Sequence, residues 1–154
     1  MIFPKLNEAT KQYWTESDFQ KLEEATTIQE VFAVAKSVIL RMPDSLAQVC
    51  GPITNGGKGS VEKNLEELDK AIDKLQKQGV LIFDQMPFEE PFRKIAYRKT
   101  STQHHDDVLN LFYEPIFKLG KIKTFYFLPG WEGSKGAIWE YHKAEELGIK
   151  IVLL

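Results

Sequence analysis

The sequence predicts an α/β fold: a doubly wound, mostly parallel sheet of four to five strands with an N-terminal helical extension. From residue 46 onward, short apolar runs alternate with amphipathic helical patterns, which is typical of parallel α/β proteins. Glycine, proline or an acidic residue follows three of these runs, as expected where strands end. The residues before position 46 have helical patterns alone.

The N-terminal helices come first in this prediction. A short helix over residues 17–25 precedes a longer helix, which begins at a capping box of Thr27 and Glu30 and stops at Pro43. The longer helix has a dense apolar face that must dock on another part of the protein. We therefore assign residues 1–45 to a helical extension packed on the core and residues 46–154 to the α/β domain.

The α/β domain is predicted to contain four strands joined by helical crossovers. The strands are residues 47–50, 80–83, 124–128 and 149–154, and the helices are residues 60–78, 106–119 and 134–147. A long loop is expected over residues 84–102. Because right-handed crossovers place helices on both faces of a sheet, the arrangement is flavodoxin-like or Rossmann-like.

Composition excludes several functional classes. A chain of 154 residues with 43% hydrophobic residues can form one core without disulfides. The formal net charge of −2 gives no basic footprint for a nucleic acid polymer or an anionic membrane, so small molecules or proteins are the expected partners. With Cys50 as the single cysteine and no signal-like or membrane-spanning apolar segment, a cytoplasmic location is expected.

Ligands of doubly wound sheets bind beyond the carboxyl ends of the strands, where three loops of this chain are predicted to converge. The candidate ligand-binding residues of the first loop are Gly51, Pro52, Ile53, Thr54, Gly56 and Gly57. Its glycines allow the backbone to approach a phosphate or sugar oxygens closely. A merely flexible connection explains these glycines almost as well.

The second loop begins with Asp84, directly after a predicted buried strand. An acid in this position is placed to bind hydroxyl groups or to orient a base, and we take it as a catalytic candidate. The alternative is that Asp84 caps a turn.

The third loop leads into the helix that carries the main catalytic candidate, Glu140. Its apolar positions follow helical spacing, and Glu140 falls on the side that packs on the sheet. Since an uncompensated buried charge is very costly, this carboxylate must be paired or must face a cleft. The ligand-binding candidates here are Pro129, Gly130, Trp131, Ser134 as the helix N-cap, and Gly136.

No metal or redox cofactor is expected. His104 and His105 are adjacent to two acids, Asp106 and Asp107, but neighbouring residues project in different directions and no second cluster has ligand spacing. A cap with acidic residues at a helix start explains this run better.

Residues 47–154 resemble the nucleoside 2-deoxyribosyltransferase superfamily, most closely its short members. The resemblance rests on Cys50–Ile53, on Gly79–Asp84 and, above all, on Leu128–Glu140. The last segment has a Leu-Pro-Gly-Trp turn, then Ser-x-Gly-Ala, then a helical glutamate. Residues 1–45 lie outside the resemblance.

The resemblance implies that Glu140 attacks the anomeric carbon of a nucleoside or nucleotide, so that the N-glycosidic bond is cleaved or transferred. It also implies a homo-oligomer, a dimer, with no cofactor. Hydrolysis of a nucleoside 5′-monophosphate and transfer between bases both remain open.

A second class of function is a non-catalytic module that binds or senses a nucleotide or phosphosugar. It is favoured by Lys123–Thr124 and Glu132–Gly133, which stand where the transferases carry acids. The related phosphoribohydrolases are a third alternative, although their Pro-Gly-Gly-x-Gly-Thr signature is matched only loosely by Pro129–Ser134.

Overall fold

The computed structural model describes residues 6–54, 56–96 and 106–154. It contains two compact units: Met1–Pro43 with Gln85–Lys121, and Asp44–Asp84 with Ile122–Leu154. The first unit is helical and the second holds the sheet. The division of the sequence into residues 1–45 and 46–154 stays a prediction.

The helices and strands follow in chain order. The helices are α1 (Glu8–Lys11), α2 (Glu16–Glu24), α3 (Ile28–Arg41), α4 (Val61–Lys77), α5 (Glu89–Ile95), α6 (Glu114–Lys118) and α7 (Lys135–Leu147). The strands are β1 (Leu46–Cys50), β2 (Ile122–Phe127) and β3 (Lys150–Leu153). Shorter segments are the 3-10 helices Met86–Phe88 and Trp131–Gly133 and the π-helix Leu109–Tyr113.

The parallel α/β class is confirmed. The sheet has the order β1-β2-β3 and both strand pairs are parallel. Strand β1 is buried along its whole length, as the apolar run predicts.

The predicted count of four to five strands is wrong for the part of the chain that the structure describes. Residues 80–83 join β1 only through a single bridge between Ala47 and Ile82. Ala47 donates to the carbonyl of Leu81 and accepts from the amide of Phe83, both at 2.8 Å. The pairing goes no further because the chain turns after Phe83 into the 3-10 helix Met86–Phe88.

This bridge nevertheless fixes the topology. The connection from β1 through α4 leads to Ile82 on one side of β1, whereas β2 lies on the other side and connects through α7 to β3. The chain therefore runs outward in opposite directions from β1 and β2. Such a switch point leaves a crevice at the carboxyl ends of the two strands.

The predicted loop over residues 84–102 is wrong in its first half, which contains a 3-10 helix and α5. Two prolines lie in these helical segments. Pro87 lies in the first turn of the 3-10 helix, and Pro91 lies in the first turn of α5. A proline in a first turn costs no helical hydrogen bond, because the amides there have no partner within the helix.

The predicted N-cap of α3 is present, although the second hydrogen bond of the predicted capping box goes to the residue before the cap. Thr27 caps α3 and accepts from the amide of Glu30, whose carboxylate reaches back to the amide of Thr26. A full capping box at Thr15 and Asp18 begins α2. The helix predicted over residues 106–119 is interrupted by the π-helix, because the ring of Pro115 conflicts with a regular α-helical turn before it.

The helical unit buries one acid of unusual character. Glu89, the first residue of α5, is 7% exposed. Burial raises the pKa of Glu89 from 4.5 to about 7, and the charge of Arg93 only partly offsets this. The folded state therefore holds a proton that the unfolded chain releases near pH 4.5. Protonated Glu89 therefore stabilises the folded state, relative to high pH, most strongly below pH 4.5. This stabilisation is lost as the pH rises through about 7, the pKa of Glu89 in the folded state.

Replacing Glu89 with glutamine removes this pH dependence. At pH 8 we expect E89Q to be more stable than the unmodified protein, by up to roughly 3 kcal/mol, and at pH 4.5 the difference should vanish. Chemical denaturation across this range measures the difference. The matched control is Glu90→Gln, because Glu90 is the neighbouring acid and its side chain is 39% exposed. A stability difference that does not change with pH would contradict the assignment.

Candidate functional site

Glu140 lies on the buried face of α7 together with Ala137 and Ala144. The spacing of these residues places them on one side of the helix, as the sequence predicts. Ser134 is the N-cap and accepts a hydrogen bond from the amide of Ala137 at 3.3 Å. Glu140 is 9% exposed, so its carboxylate is held close to the sheet rather than in bulk solvent.

The side chain of Gln48 holds this carboxylate. Gln48 is fully buried in the middle of β1, and its Nε2 donates to Oε2 of Glu140 at 2.8 Å. An ionised carboxylate only accepts hydrogen bonds, so the amide nitrogen must face it. The amide oxygen Oε1 of Gln48 is then left buried without a hydrogen bond to any described residue.

Cys50 completes a cluster with Gln48 and Glu140. It lies on the same face of β1 as Gln48, since residues two apart in a strand share a face. Burial raises the pKa of the Cys50 thiol well above its usual value, and the charge and hydrogen bonding of Glu140 raise it further. Cys50 is therefore a neutral thiol at physiological pH, which makes it a packing and donor group and not a nucleophile.

The first loop is shaped by Asn64, a buried residue in the first turn of α4. Its oxygen accepts from the amide of Lys58 at 2.8 Å, and its nitrogen donates to the carbonyls of Ile53 and Gly56 at 3.0 and 3.2 Å. Gly57 has a φ of +64°, and a Cβ there would lie 2.4 Å from Oδ1 of Asn64. The loop therefore requires glycine at this position.

The first and third loops meet at the carboxyl ends of β1 and β2. The amide of Leu128 donates to the carbonyl of Cys50 at 2.9 Å. A Cβ on Gly51 would lie 2.8 Å from the Leu128 side chain, and a Cβ on Gly56 would lie 2.6 Å from the carbonyl of Gly133. Glycine thus permits a backbone contact between the two loops that any other residue would block.

The predicted ligand-binding residues of these two loops differ in exposure. Gly51, Pro52 and Ser134 are buried, Ile53, Trp131 and Gly136 are half-buried, and Thr54, Gly56, Gly57, Pro129 and Gly130 are exposed. The turn into the third loop depends on Gly130, whose φ is +85°. The exposed residues of both loops are therefore those at the loop tips, whereas the residues next to β1 and at the start of α7 are buried or half-buried.

Asp84 follows the segment that bridges to β1, and it is 7% exposed. Strand β1 separates that segment from β2. Asp84 therefore lies at the carboxyl end of the sheet, as predicted, but beside β1 on the side away from β2.

Sequence reasoning missed two residues of the site, Gln48 and Asn64. A polar residue in the middle of a short apolar run was the available signal for Gln48, because polar groups in a buried strand need a partner. Asn64 fits the polar face of an ordinary amphipathic helix, so nothing in the pattern distinguishes it.

The remaining predictions concern the histidine pair, metal binding and membrane-spanning segments. Asn55, His104 and His105 lie outside the described residues. Within the described ranges, no group of three or more metal-binding side chains is brought together, and no helix has both the length and the apolar character to cross a membrane.

Comparison with known families places most of this chain in one of them. The model of a family described as a domain of unknown function, DUF4406, matches residues 47–153. This range contains β1 from its second residue onward, together with α4, β2, α7 and β3 and all three residues of the cluster around Glu140. No curated protein and no solved structure matches the chain.

A double-mutant cycle tests the coupling between Gln48 and Glu140. Gln48→Leu and Glu140→Leu each remove one hydrogen bond from a buried polar group, so each should lower the free energy of unfolding by about 1–3 kcal/mol. In the double variant neither polar group remains. Its loss in free energy of unfolding should be smaller than the sum of the two single losses by about 0.5–3 kcal/mol. Chemical denaturation measures all four proteins.

The matched control cycle combines Gln48→Leu with Glu145→Leu, because Glu145 lies on the same helix with its side chain 58% exposed. We expect that pair to be additive. Additive losses for Gln48 and Glu140 would show that the two side chains are not coupled.

Proposed function

We propose a function for a chain that belongs to the DUF4406 family: cleavage or transfer of the N-glycosidic bond of a nucleoside or nucleotide, with Glu140 as the nucleophile. The observation that carries this proposal is the Glu140 carboxylate, buried against β1 and held there by the Gln48 amide. The proposal takes the chain to be deoxyribosyltransferase-like and the sheet to be doubly wound, as the motifs and the switch point between β1 and β2 support.

The chemistry needs a negative charge close to the anomeric carbon. As the bond from that carbon to the base nitrogen breaks, the sugar gains oxocarbenium character, which a nearby carboxylate stabilises. An oxygen of Glu140 then bonds to the carbon, and the bonding electrons leave with the base, which takes a proton. Water releases the sugar in hydrolysis, and a second base releases it in transfer.

The hydrogen-bond donors on Glu140 support this role. Gln48 and the thiol of Cys50 both donate to the carboxylate, so they favour its anionic form and restrict its rotation. A group that is fixed before substrate binds loses little entropy in the transition state. The three side chains therefore form a preorganised anionic site.

The neighbouring loops supply groups for the rest of a substrate. Gly51, Gly56 and Gly57 of the first loop and Gly136 at the start of α7 have backbone amides that would suit sugar oxygens or a 5′-phosphate. Asp84 is a candidate for orienting a hydroxyl group or the base. If the first loop binds a 5′-phosphate, the reaction is hydrolysis of a nucleoside monophosphate. If it makes no phosphate contacts, transfer of the sugar between bases is favoured.

The second candidate function is a non-catalytic nucleotide-binding or sensing module. The small exposure of Glu140 favours it, because a carboxylate buried against Gln48 has little freedom to reach a sugar carbon. A sensor needs ligand binding and a change in these loops, but no turnover.

Release of free base tests the enzymatic proposal. The protein is incubated with ribo- and deoxyribonucleosides and their 5′-monophosphates, with and without an acceptor base, and free base is followed by chromatography. We expect release by the unmodified protein and a loss of at least about 1,000-fold in Glu140→Gln, which keeps the shape but lacks the charge.

The matched control is Glu132→Gln, because Glu132 is an exposed acid of the same loop region. It should release base at nearly the unmodified rate. Ligand-induced thermal stabilisation without base release would favour the sensor, and equal activity in Glu140→Gln would exclude Glu140 as the nucleophile.

A further inference from the structure

Three aromatic rings form a closed cluster beside Glu140. The rings of Trp131 and Tyr141 are stacked face to face, with centroids 4.8 Å apart and an interplanar angle of 5°. Phe127, the last residue of β2, contacts both rings at centroid distances of 5.2 and 5.6 Å. Each ring thus supports the other two, which fixes the orientation of the Trp131 indole.

The Trp131 ring is half-buried rather than buried. Tyr141 stacks on one face of the ring. Phe127 lies 5.2 Å from Trp131 and 5.6 Å from Tyr141, so it sits beside the stacked pair and not over the opposite face of the indole. Neither of the two partner rings therefore covers the face of the indole opposite Tyr141. A rigid and partly exposed indole face is the kind of surface on which a planar nucleobase stacks.

The aromatic cluster is linked to the Glu140 carboxylate through α7. Tyr141 follows Glu140 directly on α7, and adjacent helical residues point about 100° apart. In a nucleoside the base is bonded directly to the anomeric carbon, so a base must lie next to the atom that Glu140 attacks. Phe127 also pairs in the sheet with Cys50, whose thiol interacts with Glu140, so the aromatic cluster and the carboxylate share one end of the sheet.

We propose that Trp131 is the stacking platform for the nucleobase, with Tyr141 and Phe127 as its support. This inference rests on the proposed function because it takes the ligand to be a nucleoside or nucleotide. Stacking uses the face of the base and not its edge, so the site accepts several bases and favours the larger purines over pyrimidines.

Tryptophan fluorescence tests the platform without requiring turnover. In the Glu140→Gln background, adenosine 5′-monophosphate and free adenine should quench the emission, whereas ribose 5-phosphate should not. The quenching should disappear in Trp131→Phe. It should persist in Trp139→Phe, the matched control, because Trp139 lies on α7 with the Lys143 ammonium 5.5 Å from its ring centre.

Affinity provides the second measurement. By calorimetry, Trp131→Ala should weaken binding of adenosine 5′-monophosphate by roughly 5- to 100-fold, and Trp131→Phe should weaken it less because it keeps a ring. Far-ultraviolet circular dichroism verifies that both variants are folded. If Trp131→Ala does not fold, the fluorescence quenching and the affinity of Trp131→Phe decide whether Trp131 is the stacking platform.

The outcomes separate this inference from the proposed function. Quenching through Trp131 without base release by the unmodified protein would keep the platform and exclude the glycosidic chemistry. Base release by the unmodified protein, with unchanged affinity in the Trp131 variants, would keep the glycosidic chemistry and exclude the platform. Quenching that survives in Trp131→Phe, or failure of every nucleoside and nucleotide to bind, would overturn the platform.

Discussion

The hydrogen bond between Gln48 and Glu140 is the interaction on which the site depends. It joins the middle of β1 to α7, two elements far apart in sequence, and both of its groups are buried. A charged oxygen in such a position is stable only with donors around it, and Gln48 and Cys50 supply them. The fold thus keeps a carboxylate in a place where an apolar residue would pack more easily, which is typical of functional sites.

The topology gives this carboxylate its setting. β1 and β2 connect outward in opposite directions, and the first and third loops follow their carboxyl ends, which is where ligands bind in sheets of this kind. Asn64 shapes the first loop and Gly130 turns the third, so each loop has its own local determinant. Glycines at the contact between the loops keep bulky side chains away from the strand ends.

Much of this architecture follows from sequence patterns, and the failures have physical causes. Caps, helical periodicity and apolar runs predict the parallel sheet and the buried position of Glu140, because these signals are local. The strand predicted at residues 80–83 is reduced to one bridge because strand pairing depends on where the chain turns next. The prolines near α5 are tolerated because they lie in the first turns of helices. The partner of Glu140 is a nonlocal contact, which no periodicity encodes.

The central claim is that the oxygen of Glu140 bonds to a sugar carbon, and a trapped intermediate tests it most directly. A 2-fluoro nucleoside or its 5′-monophosphate slows the second step of such a reaction more than it slows the attack, so the glycosyl-enzyme accumulates. Intact-protein and peptide mass spectrometry should show one added sugar on the peptide that contains Glu140, and none in Glu140→Gln. Base release without any adduct, or an adduct on another residue, would contradict the account.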